Sequence, residues 1–394
     1  MKKTIRDLDV AGKRVFVRAD FNVPVDKSGV ITDDTRIQAV LPTVRNLRER
    51  GARVILASHF GRPKGKVVED MRLQPVADRL SELLGASIKY VSDCIGEEPE
   101  GAAAALQDGD VLLLENLRFH PEEENNDSAF SKQLASLADM YVNDAFGTAH
   151  RAHASTEGIT HHLPSVAGLL MEKELNSLGG LLVSPKHPFA CVFGGAKVSD
   201  KIGIIRNMLQ RVDLVLVGGG LAATFLKARG LDIGQSLVED GMIDECRTIM
   251  RESDGSRIPL LLPIDLLVAK EAKAGTRTRV VQVTGVPADC MIVDIGPKTI
   301  EYFFEKLEFC RTVLWNGPMG IYEVPQFSLG TRCLINYLAG LDAASVIGGG
   351  SSVDAVQEMG VGELVTHVST GGGATLELLE KGTLPGVEAL DNPD

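Results

Sequence analysis

The feature that most restricts how this chain can fold is a steady alternation of short apolar runs with stretches of helical periodicity. Arg14-Val15-Phe16-Val17-Arg18-Ala19 reads as a first strand, and Thr35 to Arg50 as the helix after it, stopped at Gly51. Arg53 to Ser58, Ile88 to Val91, Val111 to Glu115 and Met140 to Val142 repeat the strand signal. Helical patterns at about Gln74 to Leu84 and Ser128 to Leu137 separate them. A fresh helix over Leu169 to Leu182 ends at Ser184-Pro185-Lys186-His187-Pro188, which cannot continue it. The alternation resumes with Phe189 to Phe193, Leu214 to Val217, Leu260 to Leu262, Val280 to Val283, Val313 to Trp315 and Val346-Ile347. Strands separated by helices imply parallel pairing. The expected fold is α/β: two doubly wound, Rossmann-like parallel-sheet domains joined by a helix, with a deep cleft between them.

In the second half, four apolar runs end in glycines: Gly194-Gly195, Gly218-Gly219-Gly220, Gly348-Gly349-Gly350 and Gly371-Gly372-Gly373. A strand, a glycine turn and a helix together aim bare N–H groups and a helix N-terminus at an anion, with no Cβ in the way. One such turn is as well explained by ordinary strand-to-helix geometry. Four in one domain favour a polyphosphate. No G-x-x-x-x-G-K-[ST] is present, so this is not a P-loop.

A chain of 394 residues exceeds one comfortable core, and 44% hydrophobic with 24% charged residues is a globular mix. A net charge of -12 argues against nucleic-acid or anionic-membrane partners but leaves room for a local basic pocket. The six cysteines have no C-x-x-C spacing, so reduced thiols in a cytoplasmic protein are expected. MKKTIRDLDV lacks the apolar core of a signal peptide, and Ile258 to Ala269, broken by Pro263 and Asp265, is too short to span a membrane.

Ligands of open parallel sheets bind beyond the carboxyl ends of the strands. In the first domain those positions hold Asp20, Asn22, His59, Arg62, Arg118, His150, Arg151 and His153, with Arg36 opening the first helix. Any one of these arginines reads as a solvated loop residue. As a set they would repel one another unless an anion joined them, and the guanidinium fork suits phosphate and carboxylate oxygens. In the second domain the same positions hold the glycine turns with Lys197, Lys201, Asn316, Pro318 and Glu323. Lys197 and Lys201 are four apart where a helix is expected to begin, so both would face one way. A small anion in one domain and a nucleotide in the other point to phosphoryl transfer. The sequence offers no placed general base, and none is needed if the acceptor is an ionised carboxylate.

Several segments together resemble one family. Val17-Arg18-Ala19-Asp20-Phe21-Asn22-Val23-Pro24, Ser58-His59-Phe60-Gly61-Arg62-Pro63, Glu115-Asn116-Leu117-Arg118-Phe119, Asn143-Asp144-Ala145-Phe146-Gly147-Thr148-Ala149-His150-Arg151, Gly194-Gly195-Ala196-Lys197-Val198, Trp315-Asn316-Gly317-Pro318-Met319-Gly320 and Ser369-Thr370-Gly371-Gly372-Gly373 are similar to phosphoglycerate kinases, in order and over nearly the whole chain. The resemblance implies reversible transfer from 1,3-bisphosphoglycerate to ADP, giving 3-phosphoglycerate and MgATP, in glycolysis and gluconeogenesis. It implies a cytoplasmic, hinge-bending monomer. Residues 1–170 would bind the glycerate, 171–185 would connect, 186–383 would bind the nucleotide, and 384–394 would pack back on the first domain.

By the same resemblance, Asp20, Asn22, Arg36, His59, Arg62, Arg118 and Arg151 hold the glycerate substrate, with Phe21, Phe60 and Gly61 in the same loops. Arg36, Lys197, Lys201, Gly350 and Gly373 stabilise the transferring group. Gly194, Gly195, Gly219, Gly220, Gly296, Asn316, Pro318 and Glu323 line the nucleotide, together with Gly349, Ser351 and Ser352. One position departs: the family's usual aspartate after the glycines, which approaches Mg²⁺, is Ser351 here. Asp354, nearly a helical turn on, is a substitute metal ligand to be tested. Two other readings stay open at this stage: an acyl-phosphate kinase acting on a different carboxylate, and a nucleotide-binding scaffold without turnover.

Overall fold

The computed structural model describes residues 2–256 and 258–393. The chain divides into two compact units, one of residues 1–176 with 383–394, the other of residues 177–382. In the first unit, β1 (Arg14–Arg18), β2 (Arg53–Ala57), β3 (Lys89–Tyr90), β4 (Val111–Leu113), β5 (Met140–Asn143) and β6 (Ser165–Ala167) form one six-stranded sheet in the order β3-β4-β2-β1-β5-β6. Every pairing in it is parallel. β1 lies mid-sheet between β2 and β5, and all but its first residue are buried. That is why it reads as a nearly unbroken apolar run. The exception is Arg18, fully buried at the strand's carboxyl end.

The helix Thr35–Glu49 lays Ile37, Val40, Leu41, Val44 and Leu47 on this sheet, the 3-4 spacing of one apolar face. Gly51 follows in a left-handed conformation (φ +76°), as expected of a helix stop. The carboxyl-terminal residues join the first unit through backbone: Asp391 N–H donates to Ser165 O at 2.8 Å, and Gly386 N–H to Ala149 O at 2.8 Å.

The second unit starts within the helix Leu169–Val183. Its main sheet takes β7 (Phe189–Phe193), β8 (Leu214–Val217) and β9 (Leu260–Leu261). After an excursion of the chain it takes β13 (Thr312–Asn316), β14 (Ala344–Gly348) and β15 (His367–Val368). The order is β15-β14-β13-β7-β8-β9, again all parallel. The excursion corrects the sequence reading. Val280 to Val283 does not extend the parallel sheet. β10 (Asp265–Ala269), β11 (Thr278–Gln282) and β12 (Met291–Ile295) form a separate antiparallel sheet in the order β11-β10-β12. β11 has one neighbour and no buried residue, so its valines, Val280 among them at 49% exposure, never enter the main core. Among the described residues, no helix is long and apolar enough to cross a membrane.

Candidate active site

The first group of candidate residues is assembled at the carboxyl ends of β1, β2, β4 and β5. Side chains near these ends fasten one loop to the next. Ser58 Oγ accepts from Phe21 N–H at 2.8 Å, and Asn22 Oδ1 from Gly61 N–H at 2.9 Å. Asn116 Oδ1 accepts from Phe60 N–H at 3.1 Å while its Nδ2 donates to Phe60 O at 2.7 Å. The rings of Phe21 and Phe60 are buried, so these two residues anchor the loops from below. On this platform Arg36 Nη1 donates to Asp20 Oδ2 at 2.9 Å. Arg118 Nη1 donates to Gly61 O at 3.0 Å, and its Nε pairs with Glu124 at 3.2 Å. Arg151 Nε lies 3.2 Å from His150 Nε2.

His59 is buried among these groups. Burial, followed by the charges of Arg18, Arg118, Arg36 and Arg151, holds its imidazole neutral, well below the usual 6.5. Arg18 Nη2 stands 3.3 Å from His59 Nδ1. A guanidinium can only donate, so Nδ1 accepts and the ring proton sits on Nε2. His59 is therefore a neutral donor amid four guanidiniums, a combination suited to anionic oxygens. Arg62 stands apart, exposed on the turn after β2.

Sequence reasoning did not find what supports this cluster. Arg18 Nε donates to Ser155 Oγ at 2.8 Å. Ser155 in turn gives its N–H at 2.9 Å and its hydroxyl at 2.6 Å to the buried Glu123. Burial raises the Glu123 carboxyl while the Arg18 charge opposes it. His153, buried 3.8 Å from Glu123, is pushed down to about 3 by burial and then by the Arg18 charge. A charged residue closing an otherwise apolar strand was the available signal for Arg18. Glu123, the middle of three glutamates, gave none.

The second group lies at the carboxyl ends of β7, β8, β13, β14 and β15. The glycine turns are laced together through backbone. Gly194 N–H donates to Asn316 O at 2.9 Å, Gly195 N–H to Pro318 O at 2.8 Å, and Gly219 N–H to Met319 O at 3.0 Å. A Cβ on Gly194 would fall 2.2 Å from Pro318 O, and one on Gly219 2.6 Å from the same atom. A Cβ on Gly220 would press the Ala196 backbone, and one on Gly296 the Asp265 carboxylate at 2.3 Å. These glycines permit turn-on-turn packing. Gly350 and Gly373 differ: a Cβ on either would meet nothing within 4 Å. They open the helices Gly350–Glu358 and Gly373–Lys381, following Gly349 (φ +90°) and Gly372 (φ +52°), with their own positions exposed. Open amides at helix starts are what an incoming phosphate needs.

The lysine pair departs from the helical expectation. The helix begins only at Ile202. Glu239 accepts from the N–H groups of Val198 and Ser199 and from the Ser199 hydroxyl, which holds the preceding segment as a turn. Lys197 is consequently exposed, whereas Lys201 is buried with its ammonium on Asn316 Oδ1. Burial pulls Lys201 down from 10.5 to about 8, against the opposing charge of Asp200. Asn316 Nδ2 is buried without a hydrogen-bond partner, a donor left for a ligand oxygen. Pro318 is half-buried at the turn, and Glu323 is exposed.

Ser352 is buried and its hydroxyl accepts from Gly317 N–H at 2.9 Å, so it serves the turn. Asp354 is exposed on the face of its helix that carries Glu358, close enough to Tyr322 for its charge to add to burial and Glu358 in pushing that phenol up to about 12. Ser351, half-buried, is the second residue of that helix.

Residues 5–382 match the family model described as phosphoglycerate kinase. The chain belongs to the phosphoglycerate kinase family. It is 55% identical over 389 residues to the phosphoglycerate kinase of Pelotomaculum thermopropionicum and 55% identical over 397 residues to that of Acaryochloris marina, with 99% of each chain covered in both cases. The solved phosphoglycerate kinase of Coxiella burnetii superposes with a TM-score of 0.90 at 37% identity, covering 99% of this chain and 98% of its own. That of Pyrococcus horikoshii gives 0.87 at 36% identity, with the same coverage. Membership makes the chain a phosphotransferase with a carboxyl group as acceptor, working in glycolysis and gluconeogenesis.

Proposed function

We propose that the arginine cluster of the first unit holds the glycerate substrate and that the glycine turns of the second hold the nucleotide. The phosphoryl group would pass between the 1-carboxyl of 1,3-bisphosphoglycerate and ADP. The observation that carries this reading is His59, kept neutral among Arg18, Arg36, Arg118 and Arg151. Guanidiniums neutralise phosphate and carboxylate, while a neutral Nε2–H supplies direction without further charge. Asp20, beside Arg36, is placed to accept from a substrate hydroxyl. Arg36, paired with Asp20 and still 43% exposed, would serve the acyl end. Lys201, Asn316 Nδ2 and the amides of Gly350 and Gly373 stabilise charge as it develops on the transferring group. Lys197, which is exposed, would add its charge to the bound nucleotide. The acceptor is an ionised carboxylate, which is why no general base is required.

The family uses a magnesium nucleotide. A hydroxyl is a hard oxygen donor, so Ser351 suits Mg²⁺ carried in on nucleotide phosphates, whereas Asp354 is placed with Tyr322 and Glu358. Bound there, Mg²⁺ supplies charge neutralisation on the phosphate oxygens. A neutral ligand in place of a carboxylate should bind it less tightly: Ser351→Asp is expected to lower the Mg²⁺ concentration at half-maximal rate. Superimposable titrations of the two proteins would exclude a metal role for this position. We further propose a monomer in the cytoplasm.

The direct test is turnover of the purified protein with ATP, Mg²⁺ and 3-phosphoglycerate, coupled to reduction of the acyl phosphate. The rate should depend on 3-phosphoglycerate, and Arg36→Ala should reduce kcat by about 10²–10³-fold, the scale of losing one charge-stabilising donor. Full activity in that variant would remove Arg36 from the reaction.

A further inference from the structure

The first unit holds a second cluster of chemically active side chains that the proposed reaction does not use. Asp93 and Cys94 follow β3, and His120 follows the short turn Leu117–Phe119 beyond β4. One ligand atom from each, carboxylate oxygen, thiol sulfur and imidazole nitrogen, lies within 4.8 Å of the other two. Among the described residues it is the one group of three His, Cys, Asp or Glu side chains that converges in this way.

We propose that Asp93, Cys94 and His120 form a binding site for a zinc ion, separate from the magnesium of the nucleotide. His120 Nε2 and Asp93 Oδ1 are 2.7 Å apart and share one proton. A metal ion would take that proton's place. In a tetrahedral zinc site an oxygen and a nitrogen ligand sit roughly 3.3 Å apart and the sulfur roughly 3.5 Å from either. The pair must open by about 0.6 Å and the thiol must close in by about 1.3 Å at most. All three residues sit on loops, where shifts of that size are local. The loops are otherwise well fixed. Cys94 N–H donates to Asp93 Oδ1 at 2.6 Å, Glu115 N–H to Asp93 O at 3.3 Å, and the His120 ring packs on Phe130 with centroids 5.3 Å apart.

The donor set selects the metal. Mg²⁺ and Ca²⁺ want oxygens, whereas thiolate with imidazole and one carboxylate suits Zn²⁺. Cys94 is buried while Asp93 and His120 are half-exposed, so a fourth position would face solvent and take water. Zn²⁺ binding would release the thiol proton, and it would move the proton between His120 and Asp93 off Nε2, leaving the imidazole protonated on Nδ1. It would also clip together two loops, one of which carries Arg118.

The test uses the full-length protein freed of metal and without nucleotide. Cobalt(II), added to one equivalent, should produce the near-ultraviolet thiolate-to-cobalt absorption band, and Zn²⁺ should displace it. Cys94→Ser should abolish the band. His120→Asn and Asp93→Asn should each weaken binding about tenfold or more. Cys333→Ser, which removes the one thiol that is not fully buried, should leave the band intact. Zn²⁺ alone should raise the unfolding temperature of the parent protein and not of Cys94→Ser. No thiolate band at one equivalent, or a band that survives Cys94→Ser, would overturn the proposal and leave the cluster a hydrogen-bonded His–Asp pair beside a buried thiol.

Discussion

Lys201→Met should abolish most activity and make the protein more stable. The methionine is unbranched like lysine, one atom shorter, and removes the charge. Loss of one charge-stabilising donor at a transferring group costs about 10²–10³ in kcat, or about 3–4 kcal/mol. The stability change runs the other way. Burial lowers the Lys201 ammonium from 10.5 to about 8, so the folded protein holds this proton less tightly than the unfolded chain. Below pH 8 the lysine is charged in both states, and the folded state bears the full cost of burying it. Between pH 8 and 10.5 the folded protein sheds the proton first, and stability rises with pH. At pH 7 an apolar replacement is therefore expected to gain on the order of 1–2 kcal/mol, after allowing for the hydrogen bond lost to Asn316.

The same pKa sets the kinetics. A nucleotide needs the charged amine, so kcat/KM for ATP should fall as pH rises through about 8, whereas kcat, measured with phosphates beside the amine, should be flatter. Lys201→Met should lose that alkaline limb. Thermal melts at pH 7 paired with a pH–rate profile decide the matter. A variant that is both less stable and still active would show Lys201 to be a structural residue.

How much of this was legible in the sequence differs from residue to residue. The two parallel sheets were, because strands buried on both faces leave unbroken apolar runs such as Val15-Phe16-Val17, and glycine marks the helix stops. The antiparallel sheet of β10, β11 and β12 was not. β11 is exposed, so Val280 and Val281 carry an apolar pattern without the burial that normally accompanies it. Asp20, Arg36, His59, Arg118 and Arg151 were legible as a set because like charges gathered at strand ends ask for an anion. Their support was hidden, since the hydrogen bonds linking Glu123 to Arg18 pass through Ser155, which is 32 residues on from Glu123. The Lys197–Lys201 spacing misled for a different reason. A helix start was inferred from the glycines before it, while the turn is held by Glu239, 40 residues away from Ser199. Glycine itself was ambiguous: no spacing rule separates one that admits another turn, as Gly194 does, from one that admits a phosphate.

That ambiguity is resolved by a paired experiment on Gly219 and Gly350. Gly219 has φ +62°, where an L side chain is strained, and its Cβ would stand 2.6 Å from Pro318 O and 2.7 Å from Gly195 N. Both are backbone atoms, so no rotamer change relieves the collision, and three turns must move together. Left-handed strain and overpacking each cost about 1–3 kcal/mol, so Gly219→Ala should lose roughly 3 kcal/mol or more. For a unit of this size that corresponds to roughly 6–12 °C in Tm. Gly350 has open space around its Cβ, and alanine there should leave Tm nearly unchanged. Its methyl group would instead stand where a phosphate oxygen must approach the amide, so kcat should fall while the fold stays intact.

The chain carries one tryptophan, Trp315, buried in β13 with its Nε1–H on Gly317 O at 2.7 Å. Its fluorescence therefore follows unfolding of the second unit alone, next to the turn being tested. Gly219→Ala should shift that transition and Gly350→Ala should not, while activity falls in both. If Gly350→Ala retained full kcat, its amide would have no part in the transfer. If Gly219→Ala melted like the parent, the turn packing would be softer than the backbone contacts require.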